Sequence, residues 1–170
     1  MPKKVAVLMG SDSDFPKIKS VLSVLSDFDV PFEVHVMSAH RTPRRVEEFV
    51  KNARSNGFGV IICAAGGAAH LAGVAASHTT LPVIGIPVAT ELMGGLDSLL
   101  STVQMPGDIP VATVGIGSGG AKNAGILAVQ ILAIGDENLV QKLETFREKL
   151  VLRIQEKDER LQAQLESEIS

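Results

Sequence analysis

The run Val60-Ile61-Ile62-Cys63-Ala64-Ala65 contains no polar side chain except a single thiol, and it leads directly into Gly66-Gly67-Ala68-Ala69-His70 and a small-residue helical pattern, Ala69 to Ser77. A strand that is apolar at every position has both faces covered, as in a parallel sheet sandwiched between helices. The same reading applies outward in both directions. Strands are expected at Lys4 to Met9, Phe32 to Met37, Val60 to Ala65, Pro82 to Ile86 and Pro110 to Ile116. Helices are expected between and after them, at Asp14 to Asp27, Pro43 to Ser55, Ala69 to Ser77, Leu96 to Gln104 and Ala121 to Ile134. Thr42-Pro43 offers an N-cap and a first-turn proline, and Ser13 with Pro16 does similar work after the first strand.

Alternating strands and helices predict an α/β, flavodoxin-like three-layer fold with a five-stranded parallel sheet. The 170 residues suit one domain. Residues 1–135 read as its body, and residues 136–170 as a long C-terminal helix of the same domain. That helix carries Leu139, Leu143, Phe146, Leu150, Ile154, Leu161 and Leu165 on one stripe. Its length of roughly 45 Å exceeds the width of such a domain. Docking on a neighbouring subunit is therefore expected.

Composition narrows the function. Sixteen Lys and Arg against 19 Asp and Glu give a net charge of -3, so there is no global attraction for nucleic acid or an anionic membrane. With six Phe, no Tyr and no Trp, a site built on stacked aromatic rings is disfavoured. One Cys excludes a disulfide framework and suits a reducing compartment. Met-Pro-Lys-Lys followed by Val5 to Met9 is too short an apolar core for a signal peptide, so a cytoplasmic location is expected. No Asp, Glu, Lys or Arg occurs from Ser55 to Thr90, but glycines, histidines, threonines and Pro82 break that stretch before about 20 apolar residues accumulate.

In an open parallel sheet, ligands bind beyond the carboxyl ends of the strands. Three loops meet that requirement. Gly10-Ser11-Asp12-Ser13-Asp14 offers amides and hydroxyls for a phosphate and a carboxylate for ribose hydroxyls, although Ser and Asp here serve equally as caps. Ser38-Ala39-His40-Arg41-Thr42-Pro43 sets an imidazole able to move a proton beside a fixed guanidinium, although taken alone Arg41 serves equally to complement a nearby carboxylate and His40 as a satisfied loop residue. Gly66 to His70 lets a ligand approach backbone amides closely, which suits a carboxylate or carbon dioxide, and suits tight helix-on-sheet packing as well. Gly115-Ile116-Gly117-Ser118-Gly119-Gly120 matches a dinucleotide fingerprint, but it lies outside the first βαβ unit and lacks the acidic residue at the end of the next strand. No Cys or His spacing suggests a metal site.

Six segments taken together, Met9-Gly-Ser-Asp-Ser-Asp14, Ser38-Ala-His-Arg-Thr-Pro43, Ala65-Gly-Gly-Ala-Ala-His-Leu71, Gly95-Leu-Asp-Ser-Leu99, Val103-Gln-Met-Pro106 and Ala121-Lys-Asn-Ala124, resemble the class I N5-carboxyaminoimidazole ribonucleotide mutases of purine synthesis. The resemblance implies a reaction that moves a carboxylate from an exocyclic nitrogen to C4 of an aminoimidazole ribonucleotide, with no metal or organic cofactor. It implies that Ser11, Ser38 and Arg41 hold the phosphate, Asp14 the ribose hydroxyls, and Gly66, Gly67, Ala68, Ala69, His70 and Leu71 the carboxylate end, with His40 carrying the proton. A homo-octamer, and a functional link to the ATP-dependent enzyme that makes the carbamate substrate, are also implied. Class II relatives, which carboxylate the aminoimidazole ribonucleotide directly, resemble the chain less. One departure is His70-Leu71-Ala72-Gly73, where the family usually has His-Leu-Pro-Gly.

Overall fold

A computed structural model describes residues 3–169. Met1, Pro2 and Ser170, at the outer ends of segments 1–135 and 136–170, lie outside the described residues. Two compact units part between Leu132 and Ala133.

The first unit is built on five parallel strands in the order β2-β1-β3-β4-β5: β1 Lys4–Met9, β2 Phe32–Val36, β3 Phe58–Ala65, β4 Val83–Pro87 and β5 Ala112–Thr113. This is the flavodoxin-like order expected from the sequence. The helices are α1 Phe15–Ile18, α2 Ser20–Asp27, α3 Pro43–Ala53, α4 Leu71–Ser77, α5 Leu96–Val103 and α6 Gly117–Ala133. Because parallel crossovers are right-handed, the connection from β1 out to β2 and the three returning the other way cover opposite faces. On one face Ala6, Leu8, Ile61 and Cys63 join Val46, Val50 and Ala53 of α3 and Leu71, Ala72 and Ala75 of α4 in one buried cluster. The alternate strand residues Val5, Val7, Met9, Ile62 and Ala64 are buried too. α2 and α6 run against each other, since a Cβ added to Gly125 would lie 2.9 Å from Val24 Cβ. Cys63 is enclosed in the middle strand, and burial pushes its thiol up.

Several boundaries differ from the sequence reading: α6 starts at Gly117 rather than at the expected Ala121, β3 starts at Phe58 rather than at Val60, and three others have distinct local features. The expected helix from Asp14 to Asp27 breaks at Lys19, whose carbonyl is shared by the N–H groups of Leu22 and Ser23. β5 is far shorter than Pro110 to Ile116. Pro110 has no N–H to give a neighbour, and past Val114, which still donates to the Gly85 carbonyl at 3.1 Å, the chain turns through Gly115 to Gly117 at φ 87°. α4 starts at Leu71 without the usual proline; Ala72, its second residue, is buried.

The second unit is dominated by α7, Glu137–Ile169, 33 residues long. Asp136 Oδ1 caps it, accepting from the N–H groups of Asn138 at 3.1 Å and Leu139 at 3.3 Å. Val151, Leu152, Ile154, Leu161 and Leu165 are exposed along it.

Gly85 decides how closely α5 packs. A Cβ there would overlap Thr102 Cγ2 and lie 3.0 Å from Val111 Cγ1. Gly85→Ala is expected to cost about 1–3 kcal/mol through overpacking, read as a lower urea midpoint at unchanged m-value.

Candidate active site

The carboxyl ends of the edge strand β2 and of its inner neighbours β1 and β3 are held level where the ladder ends. Gly10 N–H donates to the Ala64 carbonyl at 3.2 Å, and Met37 N–H donates to the Met9 carbonyl at 2.9 Å. A cavity of about 540 Å³ opens there, lined by Gly10, Ser11, Asp14, Ser38, Ala39, His40, Arg41, Ala65, Gly66, Ala68 and Leu71. Its size suits a small-molecule ligand. A larger groove of about 880 Å³ lies at the opposite edge, by the amino ends of β4 and β5, and includes Lys51, Arg54 and His78. None of the three loops reaches it. Its cations already have partners, Lys51 with Glu47 and Arg54 with the Thr80 hydroxyl at 2.9 Å.

In the first loop the cap is Ser11, not Ser13. Ser11 has extended backbone and its Oγ accepts from Ser13 N–H at 3.3 Å, opening a 3-10 turn over Asp12–Asp14. Pro16 takes the second position of α1.

In the second loop Thr42 occupies the N-cap position of α3, but its hydroxyl does not cap that helix. Thr42 Oγ1 accepts from Ser38 N–H at 2.9 Å and donates to the Ser38 carbonyl at 3.1 Å, closing the loop on itself. Ser38 Oγ in turn accepts from the N–H groups of His40 at 3.3 Å and Arg41 at 3.2 Å. With its lone pairs so engaged, the Ser38 hydroxyl keeps its own proton to donate to a ligand.

His40 and Arg41 are neighbours in sequence yet tie the loop to different partners. Arg41 Nη2 donates to the Gly10 carbonyl at 2.8 Å, joining the first loop. His40 Nε2 meets His70 Nδ1 at 2.9 Å, joining the third, with the rings edge to face at 5.0 Å between centroids. One of those two nitrogens carries the hydrogen and the other accepts it.

In the third loop Gly67 takes φ +67°, a conformation that favours glycine. The N–H groups of Gly67, Ala69 and His70 are engaged, with Ser98 Oγ, the Gly67 carbonyl and the Ala68 carbonyl respectively. Among the described residues the Ala68 N–H has no such acceptor, and Ala68 lines the cavity. The expected loop residues therefore divide: Gly66, Ala68 and Leu71 line the cavity; Gly67 and Ala69 do not, Ala69 being buried; and His70 enters through its contact with His40. Gly10, Ala39 and Ala65 line it without having been singled out in the sequence. Their contribution is backbone and small size, which a sequence pattern signals weakly.

Within the Gly115 to Gly120 motif two glycines have a structural explanation: a Cβ on Gly120 would overlap the Gly115 carbonyl, and Gly117 takes φ +87°.

Asp14 and Arg41 are the charged groups lining the cavity. Burial pushes the Asp14 carboxyl above its usual range, against the opposing pull of Lys17, the Ser11 hydrogen bond and Arg41. A carboxyl raised on folding binds its proton more tightly in the native state, so its contribution to stability falls as pH rises from the ordinary carboxylate value through the raised one. Asp14→Asn is accordingly expected to leave the free protein at least as stable at pH 7 and to flatten that part of the pH–stability curve. Thermal melts from pH 3 to 7 check this; a clear loss of stability in the variant at pH 7 contradicts it.

A family model described as AIR carboxylase matches residues 4–152. A Thermotoga maritima protein named N5-carboxyaminoimidazole ribonucleotide mutase is 51% identical over 162 residues, covering 95% of this chain and 93% of its own. One of the same name from Bacillus subtilis is 50% identical, covering 95% and 99%. Among solved structures, Treponema denticola PurE superposes with a TM-score of 0.85 at 27% identity, over 94% of this chain and 98% of that one. By the family match and by identity over nearly its whole length, the chain belongs to the AIR carboxylase family.

Proposed function

We propose that the chain is an N5-carboxyaminoimidazole ribonucleotide mutase, an isomerase of purine biosynthesis. The observation that carries this reading is the junction at His40. The side chain best suited to move a proton near neutrality lies between the Arg41 latch, an anion-binding group, and the Gly66 to His70 loop. Relatives about 50% identical over most of the chain bear that name.

The roles follow from the chemistry each group offers. Arg41, Ser38 and Ser11 present guanidinium and hydroxyl donors to a phosphate. Asp14 accepts from ribose hydroxyls. Gly66, Ala68 and Leu71 form the wall beside the carboxylate, with Gly67, Ala69 and His70 supporting it. In the reaction the N–CO2 bond breaks, its electron pair stays on nitrogen, and nitrogen takes a proton from His40. Carbon dioxide held over the ring is attacked by C4, forming the new C–C bond. His40 then recovers a proton from C4, which restores the aromatic ring and leaves the enzyme as it began. Retention of the gas is what makes the exchange intramolecular, and small side chains around Ala68 serve it by proximity.

We also propose a cytoplasmic homo-octamer in which α7 docks on a neighbouring subunit, acting after the ATP-dependent enzyme that makes the carbamate. The exposed apolar residues of α7 support the docking. The family description favours direct carboxylation as the second reading.

Substrate labelled in the carbamate carbon, turned over in excess unlabelled bicarbonate, separates the two. The mutase keeps its label in the C4 product; extensive washout favours direct carboxylation. His40→Asn is expected to lower kcat by about 10²–10⁴-fold with substrate binding largely kept, as steady-state kinetics and calorimetry would read. Truncation after Ile134 is expected to reduce the assembly mass in light scattering, and an unchanged mass contradicts the docking role of α7.

A further inference from the structure

Both backbone groups of Gly67 meet α5. Its N–H donates to Ser98 Oγ at 2.9 Å; its carbonyl accepts from the Ala69 N–H at 2.8 Å within the loop and from Ser101 Oγ at 3.1 Å, a hydroxyl whose proton is shared with the Asp97 carbonyl at 2.7 Å. Ser98 is fully buried and gives its own proton to the Val88 carbonyl at 2.7 Å, just beyond β4. One hydroxyl thus joins the loop after β3 to the chain leaving β4. α5 is itself pinned: Thr102 Oγ1 donates to the Ser98 carbonyl at 2.7 Å, and Thr90 Oγ1 donates to Asp97 Oδ1 at 2.7 Å. Neither Ser98 nor Ser101 lines the cavity.

The consequence lies in peptide geometry. The Gly67 carbonyl and the Ala68 N–H belong to the same planar trans peptide, so they point in opposite directions. Held by the Ala69 N–H within the loop and steadied by Ser101 on the α5 side, the carbonyl fixes the direction of the Ala68 N–H on the other. The Ser98 contact fixes the preceding peptide, so the left-handed Gly67 is clamped at both ends. Without the clamp, a glycine is the residue most free to rotate.

We infer that Ser98 and Ser101 are positioning residues that aim the Ala68 N–H at the migrating carboxylate and so hold carbon dioxide over C4 between the two steps. The inference rests on the proposed mutase reaction and assigns residues that neither the cavity nor the loop motifs mark. The geometry bears on the interval when the gas is free: a misdirected amide leaves the ribonucleotide bound but lets carbon dioxide escape.

Ser98→Ala and Ser101→Ala, assayed with carbamate-labelled substrate in unlabelled bicarbonate, test this. About a tenfold or greater fall in kcat is expected, with KM within about twofold and a larger share of label lost to solution. Ser101→Thr, which keeps a hydroxyl, should restore retention. Should buried Ser98→Ala fail to fold, the partly exposed Ser101 carries the test alone. Folded variants with wild-type kcat and label retention overturn the inference, as does a fall in kcat with retention unchanged. If the unaltered protein does not convert the carbamate, the mutase reading has failed; the clamp is then judged by amide exchange over residues 66–71, which must accelerate in both alanine variants or the inference falls.

Discussion

Two backbone hydrogen bonds beyond the ladder, Gly10 N–H to the Ala64 carbonyl and Met37 N–H to the Met9 carbonyl, keep the ends of β1, β2 and β3 at one level. Everything at the site depends on that alignment. The latches made by His40 and Arg41 span only single side chains, so a loop displaced by one residue along its strand, roughly 3.3 Å, would leave them unmade. The level edge is a property of the parallel sheet: β1 and β3 are buried on both faces, and the half-buried β2 pairs with β1 in register from Phe32 to Val36.

The sequence shows this sheet plainly where the physics is redundant. β1 and β3 are apolar at successive positions, and their expected and observed limits differ little. β5 is shorter than its sequence suggests because a run of Val, Ala, Thr and Ile looks extended whether or not a neighbour pairs with it, and pairing here ends after the Val114 N–H. At the site, the three loops and their residue types were legible from their place after the strands. Orientation was not. Ala68 and Ala69 are indistinguishable in sequence, yet one lines the cavity and the other is buried. Thr42 looks like a helix cap and instead closes a loop, because its hydroxyl has two nearby backbone choices and only the folded chain decides between them. Ser98, in the first turn of α5, falls in one of the segments that carry the family resemblance, but its residue type alone does not say that its hydroxyl serves another segment.

The scarcity of aromatic residues becomes coherent in the structure. The cavity is walled by glycine, alanine, serine and one leucine, with a single carboxylate, a single guanidinium and the His40 imidazole. Such a wall recognises a ligand through hydrogen bonds and close backbone approach. Asp14 shows the cost: burial raises its carboxyl even though Lys17, the Ser11 hydrogen bond and Arg41 pull the other way.

The enclosed Cys63 has a practical consequence. The chain's single thiol sits in the central strand with its ionisation suppressed, so in the native state it offers almost no thiolate to an alkylating reagent. Such a reagent would therefore count molecules whose middle strand has opened, while a cysteine introduced on the surface could carry a dye with little background from the original one.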